Sequence, residues 1–364
     1  MKRILHIVGK MNRAGAETML MNLYRHIDRD QIQFDFITFT DEVGDYDFEI
    51  QELGGKIIPI LANNPIDRML KLQRFLCSSP EYDIVHAHMS LSNAFHLLAA
   101  KSAGVKHRIS HSHNSSGNTS SISRKIYQRW ALLVNRKIAN HKIACGELAA
   151  NYLFGTTKDV FLLQNAVDIE QMLSVAKNSR HYIADEFDDD KLKIIQVGRL
   201  IEVKNHKFSL EIAEKLKEKH VDFTLYIIGD GPLNMALSKE IEDKSLSEEI
   251  KLLGLRTDIT ELMAGADFMI MPSLSEGFPV VLVESQVVGL PTIVSEKVSP
   301  EVDLGLGLID FLPINSAEEW VERLQQTRNS VCSEKIIMNK LSSAGYEVSE
   351  NANKLTHFYT NLSS

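Results

Sequence analysis

Cysteine is scarce in this chain, with Cys77, Cys145 and Cys332 far apart and odd in number. They form no Cys-x-x-Cys pair and no metal-ligand spacing. That excludes a disulfide framework and a cysteine-held zinc site, and it fits buried thiols in a reducing compartment. No apolar run approaches the roughly 18 residues that a membrane-crossing helix needs. The opening "MKRILHIVG" is basic and then apolar, but its apolar part is only about five residues, which suits a buried first strand rather than a signal peptide. The expectation is a cytoplasmic protein that does not span the membrane. No repeat of roughly 20–50 residues occurs.

Acidic residues are missing from one long stretch. Between Asp83 and Glu147 there are none, while nine lysines and arginines fall there. Residues 1–166 carry 20 basic against 15 acidic residues, a net of +5, and residues 167–364 carry 20 against 33, a net of −13. The two halves are expected to face different partners. With 44% hydrophobic and 24% charged residues, the 364-residue chain has the composition of a globular protein of two or three domains.

The first half alternates β-rich runs with helical stretches. "RILHIVG" (3–9), "FDFITF" (34–39), "KIIPI" (56–60), "DIVHAH" (83–88), "HRISHSH" (107–113) and "HKIACG" (141–146) are predicted strands. "LKIIQVGRL" (192–200), "FTLYIIGDG" (223–231), "IKLLG" (250–254), "DFMIMPS" (267–273) and "PTIVSE" (291–296) continue the pattern. Apolar strands alternating with helices predict an α/β fold of two doubly wound, Rossmann-like parallel-sheet domains. The change of domain falls between Asn165 and the acidic "DEFDDDK" at 185–191, a solvated linker or helix end. Such sheets bind ligands at the carboxyl ends of their strands, so two of them facing each other would hold the active site in a central cleft.

Several strand ends carry candidate chemistry. In "GKMNRAGAETML" (9–20), Ala14-Gly15-Ala16 opens a helix, either as a tight turn or as a ligand loop. In "QVGRLIEVKNHKFSLEIA" (196–213), Gly198 is followed by Arg199 and Lys204, placed either to neutralise a diphosphate or as solvated cations. "IIGDGPL" (227–233) offers Gly229 and Gly231, suited to a backbone passing close to a planar ring or phosphate. In "LGLRTDITELMAGAD" (253–267), Asp258 and Glu261 read as a capping box, and the exposed backbone just before it, at Leu255, is placed to read a base edge.

"SLSEGFPVVLVESQVVGLP" (273–291) puts Glu276 and Glu284 on either side of an apolar run. Pro279 suits the first turn of a helix reaching Gly289, with Glu276 at its mouth and Glu284 inside it. A carboxylate can accept from two vicinal hydroxyls, so sugar hydroxyls are the natural partners. The plainer alternative has Glu276 capping the helix and Glu284 facing solvent.

His86, His88, His111 and His113 cluster near strand ends, and His-x-His on a strand puts both rings on one face. No acidic third ligand lies near them in sequence, so no metal site is expected, and a hydrogen-bonding histidine is favoured. The Asp-x-Asp pairs at 28/30, 45/47 and 188/190 are read as chance. "SRKIYQRWALLVNRKIANHK" (123–142) carries Arg124, Lys125, Arg129, Arg136, Lys137 and Lys142 among Ile126, Tyr127, Trp130, Leu132 and Leu133, either a membrane-surface helix or one packed on the sheet.

Taken together and in order, "RAGAETML", "HSHN" (111–114), "LLQNAVD" (162–168), "VGRLIEVKNH" (197–206), "IIGDGPL" and "MPSLSEGFPVVLVES" resemble a family 4 glycosyltransferase of GT-B fold, of the bacterial exopolysaccharide and capsule type. The resemblance covers nearly the whole chain. It implies retaining, metal-free transfer from a nucleotide-diphosphate sugar, with a UDP-sugar as first expectation and no cofactor. It assigns residues 1–166 to the acceptor, with a helix at about 346–364 packing back on them, and 167–345 to the donor. It gives Arg199 and Lys204 the donor diphosphate; Glu276 with the backbone of Gly277 and Phe278 the donor sugar; and Glu284 the ribose. Gly198, Gly229 and Leu255 line the nucleotide, and Gly15 is the close-approach point. His113 fits the histidine position better than His111.

Acceptors in this family are often lipid-diphosphate saccharides, which agrees with a cationic first half meeting the inner membrane surface through residues 124–142. No nucleic-acid partner is expected. Two departures stand out: Ala14 where many relatives have glycine, and Pro279, which lacks an N–H, where others have glycine. The competing readings are a catalytically weak binding subunit of an assembly complex and a nucleotide-sugar epimerase; a phosphorylase would need a much longer chain.

Overall fold

The structure is a computed structural model that describes residues 1–113, 121–276, 278–326 and 333–362. It divides into one unit of Met1–Val167 with Gly345–Ser364 and a second of Asp168–Ala344.

Unit 1 is built on seven strands: β1 (Lys2–Ile7), β2 (Ile32–Thr38), β3 (Lys56–Pro59), β4 (Ile84–Ala87), β5 (His107–Ser112), β6 (His141–Ala144) and β7 (Phe161–Leu162). All pairings are parallel, in the order β3-β2-β1-β4-β5-β6-β7. Both faces are covered, so strands such as β2 are buried at every position, Gln33, Asp35 and Thr38 included. Alternation along β1 sends Ile4 to one core and Leu5 and Ile7 to the other.

The Ile4 face is completed by the end of the chain. The helix Val348–Asn361 buries Val348, Ala352, Leu355 and Tyr359 there. Its root is held by Asn351 Nδ2, which donates to Gln164 O at 3.1 Å and Gly345 O at 2.9 Å.

Unit 2 has β8 (Leu192–Val197), β9 (Phe223–Ile228), β10 (Ile250–Gly254), β11 (Phe268–Met271), β12 (Thr292–Ser295) and β13 (Ile309–Leu312), again all parallel, ordered β10-β9-β8-β11-β12-β13. Its core closes on Trp320, fully buried, whose Nε1 donates to Pro313 O at 2.8 Å. In both sheets the strand order reverses beside the first strand, between β1 and β4 and between β8 and β11. Open α/β sheets bind ligands outside the carboxyl ends of strands at such points.

Several expectations change. β7 and β13 were not foreseen; at two and four residues they carry little pattern. Pro279 is the N-cap and the helix is Val280–Val287, ending two residues before Gly289, whose φ is 75°. The acidic stretch is not simply solvated: Asp189 is buried and accepts from the Tyr226 hydroxyl. Asp258 sits at an N-cap position, but its carboxylate does not cap. Arg256 Nε donates to it at 2.8 Å and the Tyr182 hydroxyl at 2.7 Å, and a guanidinium competes better for a carboxylate than a backbone N–H. Of the cysteines, Cys145 is buried but Cys77 is exposed, on the outer side of its helix, and Cys332 lies outside the described residues. Lys142 belongs to β6, not to the basic helix, which is Ile122–Ile138.

Candidate active site

At the reversal point of unit 2, β8 runs out into Gly198-Arg199 and a 3-10 turn, Glu202–Lys204. Asn205, at φ 54°, then starts the helix His206–Glu218. The neighbouring β11 runs into the loop that carries Glu276. Two hydrogen bonds stitch these connections together: Asn205 Nδ2 to Pro272 O at 3.1 Å, and Leu274 N to Val203 O at 2.8 Å. Lys204 Nζ therefore sits 2.7 Å from Glu276 Oε1, with the side chains 15% and 13% exposed. The contact is an ion pair that buries Glu276 Oε1. Glu276 is thus a partner of Lys204 and not a helix cap.

Arg199 is exposed, and its side chain makes no hydrogen bond or ion pair among the described residues. The Lys204 stem lies over Gly198, where an added Cβ would be 3.1 Å from its Cε. Gly229 has a structural reason of its own. Its φ is 137°, and a Cβ there would collide with Gly198 O, so this glycine allows the approach of two backbones. Leu255, after Gly254 at φ 66°, is 60% exposed. Phe278 is half-buried and Gly277 lies outside the described residues.

Glu284 is in the Val280–Val287 helix and is half-buried, not solvent-facing. Its carboxylate has no partner among the described residues, and burial pushes its pKa up to about 7. A partly desolvated carboxylate with no donor beside it favours any ligand that brings hydroxyl groups.

In unit 1 the reversal point is occupied by histidines. The β1–β4 register pairs His6 with His86, and His88, His111 and His113 follow along β4 and β5. The rings of His86 and His88 meet tilted at a centroid distance of 4.1 Å, and those of His111 and His113 stack at 4.0 Å. His6 Nδ1 meets His88 Nε2 at 2.9 Å, and His88 Nδ1 meets His113 Nε2 at 3.0 Å. His86 Nδ1 meets the Tyr359 hydroxyl at 2.6 Å.

Burial drives every one of these imidazoles down: His6 to about 3, His113 to about 4, the other three well below 6.5. All are neutral at pH 7, each with one N–H, so the tautomers of His6, His88 and His113 are coupled along the chain. Of the motif pair, His111 is wholly buried and His113 keeps partial exposure, with Nδ1 unpartnered among the described residues. Two triads, His6/His86/His88 and His88/His111/His113, bring ring nitrogens within 4.8 Å of one another, close enough to converge on a transition metal.

Gly15 is the first residue of the helix Gly15–His26, whose N-cap Ala14 makes no side-chain cap, and a Cβ on Gly15 would meet nothing within 4 Å. His6 and Tyr359 were not picked out from sequence: nothing in "LHIVG" distinguishes a site histidine from a core one.

Comparison with known proteins matches the sequence family described as Glycosyltransferase Family 4 over residues 13–171 and Glycosyl transferases group 1 over 181–326. The putative glycosyltransferase EpsF of Bacillus subtilis is 37% identical, over 98% of this chain and 96% of its own. The chain is a family 4 glycosyltransferase. Also similar are the UDP-Gal:alpha-D-GlcNAc-diphosphoundecaprenol alpha-1,3-galactosyltransferase of Escherichia coli, 27% identical over 72% of each chain, and the capsular polysaccharide biosynthesis glycosyltransferase CapH of Staphylococcus aureus, 25% identical over 78% of this chain and 79% of that one. Among solved structures, HepE of Anabaena with UDP-glucose overlays this glycosyltransferase with a TM-score of 0.78 at 17% identity, covering 99% of this chain and all of that one. That likeness speaks to the fold, which is GT-B: two Rossmann-like parallel-sheet domains.

Proposed function

We propose that this glycosyltransferase moves a hexose or N-acetylhexosamine, with retention and without a metal ion, from a nucleotide-diphosphate sugar to a saccharide carried on a lipid diphosphate, in exopolysaccharide, capsule or O-antigen synthesis. The observation that carries the proposal is the Lys204–Glu276 pair at the reversal point of unit 2, beside the unpartnered Glu284. A UDP-sugar is the donor of choice, supported by the UDP-glucose named for HepE and the UDP-Gal named for the Escherichia coli relative. That relative's name also supports a lipid-diphosphate acceptor, and CapH's name supports the pathway. Retention rests on the family resemblance.

Unit 2 takes the donor. Arg199 and Lys204 offset the charge that builds on the diphosphate as the anomeric C–O bond breaks. Glu276 and the backbone at Gly277 and Phe278 hold the sugar hydroxyls, Glu284 holds the ribose, and Leu255 offers backbone to the base beside Gly198 and Gly229. Pro279 withholds one backbone donor and narrows the choice of sugar.

Unit 1 takes the acceptor. Gly15 is the close-approach point for donor phosphate and acceptor, and neutral His113 hydrogen-bonds the donor sugar. The helix Ile122–Ile138 exposes Ile122, Ile126 and Leu133 with Arg124, Lys125 and Arg129, a face suited to an anionic bilayer surface. No helix among the described residues is long and apolar enough to cross a membrane.

Glu276→Ala tests the assignment. It is expected to lower kcat for transfer and donor hydrolysis by about 10²–10³, in line with the loss of one transition-state contact, while UDP still binds. Undiminished turnover would overturn it.

A further inference from the structure

We infer that unit 1 carries an oxyanion subsite, built by Arg68 and His96, that takes a phosphate group. Neither residue belongs to the sites described above. The helices Pro65–Ser78 and Asn93–Ser102 follow β3 and β4, and their first turns border a cavity of about 170 Å³ lined by Pro65, Arg68, Ser92, Phe95, His96 and Tyr127.

Two side chains there lack what burial demands. Arg68 lies 4.1 Å over the Phe39 ring; its Nε is buried without a partner, and no described residue pairs with its guanidinium. His96 is wholly buried, stacked on Phe39 at 5.1 Å, and neither ring nitrogen has a partner. Burial, with the Arg68 charge adding to it, pushes His96 down to about 3.

Nearby acids do not answer. Asp67 pairs with Lys71 at 2.9 Å and accepts from Asn63 N, and the sequence from 84 to 146 contains no acidic residue. A part-buried guanidinium with no counter-charge and a buried imidazole with no partner both cost stability, and an entering anion would relieve both.

The donor set selects the anion. A guanidinium fork, an imidazole N–H and the Ser92 and Tyr127 hydroxyls match the several acceptor oxygens of a phosphate better than a single carboxylate. The cavity has room for a phosphate group with some solvent.

Tyr127 belongs to the Ile122–Ile138 helix and, with Phe95 and Trp130, forms an aromatic wall; that helix exposes Arg124, Lys125 and Arg129. Two sources bring a phosphate there: the acceptor's diphosphate, which rests on the function proposed above, and a bilayer headgroup, which does not.

Calorimetric titration of the full chain with inorganic pyrophosphate, with UDP saturating unit 2, tests the subsite. Wild type should bind, and Arg68→Gln and His96→Gln should each bind about tenfold more weakly, the weight of one hydrogen bond to a charged group, with Arg68→Lys intermediate. A melting curve for each variant separates lost binding from lost folding. Equal affinity in wild type and a folded Arg68→Gln, or no binding by wild type, would sink the proposal.

Two further measurements separate the sources. A roughly tenfold rise in KM for a short-chain lipid-diphosphate acceptor in Arg68→Gln, with donor KM unchanged, assigns the site to the acceptor. An unchanged acceptor KM with weaker sedimentation on phosphatidylglycerol vesicles assigns it to the bilayer. If wild type transfers no sugar, the proposed function fails while the pyrophosphate titration still reports on the subsite.

Discussion

Lys204 and Glu276 reach each other from two different strand connections, one after β8 and one after β11, and meet at 2.7 Å with little of either side chain left in water. Each charge is tolerable there because of the other. A diphosphate arriving at Lys204 and a sugar arriving at Glu276 would share that pair between them.

Removing one member should therefore cost more than removing both. Lys204→Met is expected to destabilise unit 2 by about 1–3 kcal/mol, below the figure for a fully buried broken pair because both side chains keep some exposure. The double variant Lys204→Met/Glu276→Gln should recover most of that stability and none of the transfer activity. Urea denaturation of the four proteins checks the coupling; strictly additive losses would show that the two groups do not depend on each other.

With Glu284 on the ribose as proposed, nucleotide affinity should depend on pH. Burial raises its pKa to about 7 from 4.5, so the folded state holds a proton that the unfolded state releases. The group's contribution to stability is fully present below pH 4.5, falls as pH rises toward 7, and stays low above it. Ligand binding runs the other way, because hydroxyl groups need the ionised form. The Kd for UDP should rise as pH drops from 8 to 6, by up to about tenfold. Glu284→Gln should flatten that profile, weaken binding at pH 8 and raise the melting temperature there by roughly 2–4 °C. A titration series with both proteins settles the direction.

Tyr359 reports on the return of the chain to unit 1. Its hydroxyl lies 2.6 Å from His86 Nδ1, and the other ring nitrogen of His86 has no partner among the described residues. Tyr359→Phe keeps the packing and strands a buried imidazole, a loss of about 1–3 kcal/mol. Thermal melts of the variant should show it; an unchanged midpoint would mean that the hydroxyl contributes nothing.

Reversing charge on the exposed helix should separate membrane affinity from donor affinity. Arg124→Glu/Lys125→Glu/Arg129→Glu is expected to lose at least about 3 kcal/mol of attraction to anionic vesicles, at about 1 kcal/mol per basic residue near the surface, with the Kd for UDP unmoved. Arg136 is left alone because its Nε donates to Leu153 O at 3.2 Å. Vesicle sedimentation that does not change would refute the assignment of this face.

Strand after strand was legible because a sheet covered on both faces needs mostly apolar residues, and "FDFITF" or "LKIIQV", each with only two polar positions, has few other uses. Glu276 and Glu284 were legible because carboxylates flanking a buried run are out of place unless something uses them. Asp258 and Gly229 were visible as special positions while their physical reasons were not. The partners that decided them, Arg256 with Tyr182 and the Gly198 carbonyl, arrive by packing.

What the sequence determined by itself was the number and kind of layers, the change of charge between the halves and the residue types waiting at the strand ends, since each follows from local pattern. Tertiary structure alone decided which of those residues meet. His6 faces His86 through a parallel register between strands distant in sequence, and His96 and Arg68 share one cavity because β3 and β4 are each followed by a helix whose first turn borders the same space. Lys204 finds Glu276 because the strand order reverses between β8 and β11. Contacts of that kind are set by sheet register and connection geometry, and no stretch of sequence contains both partners.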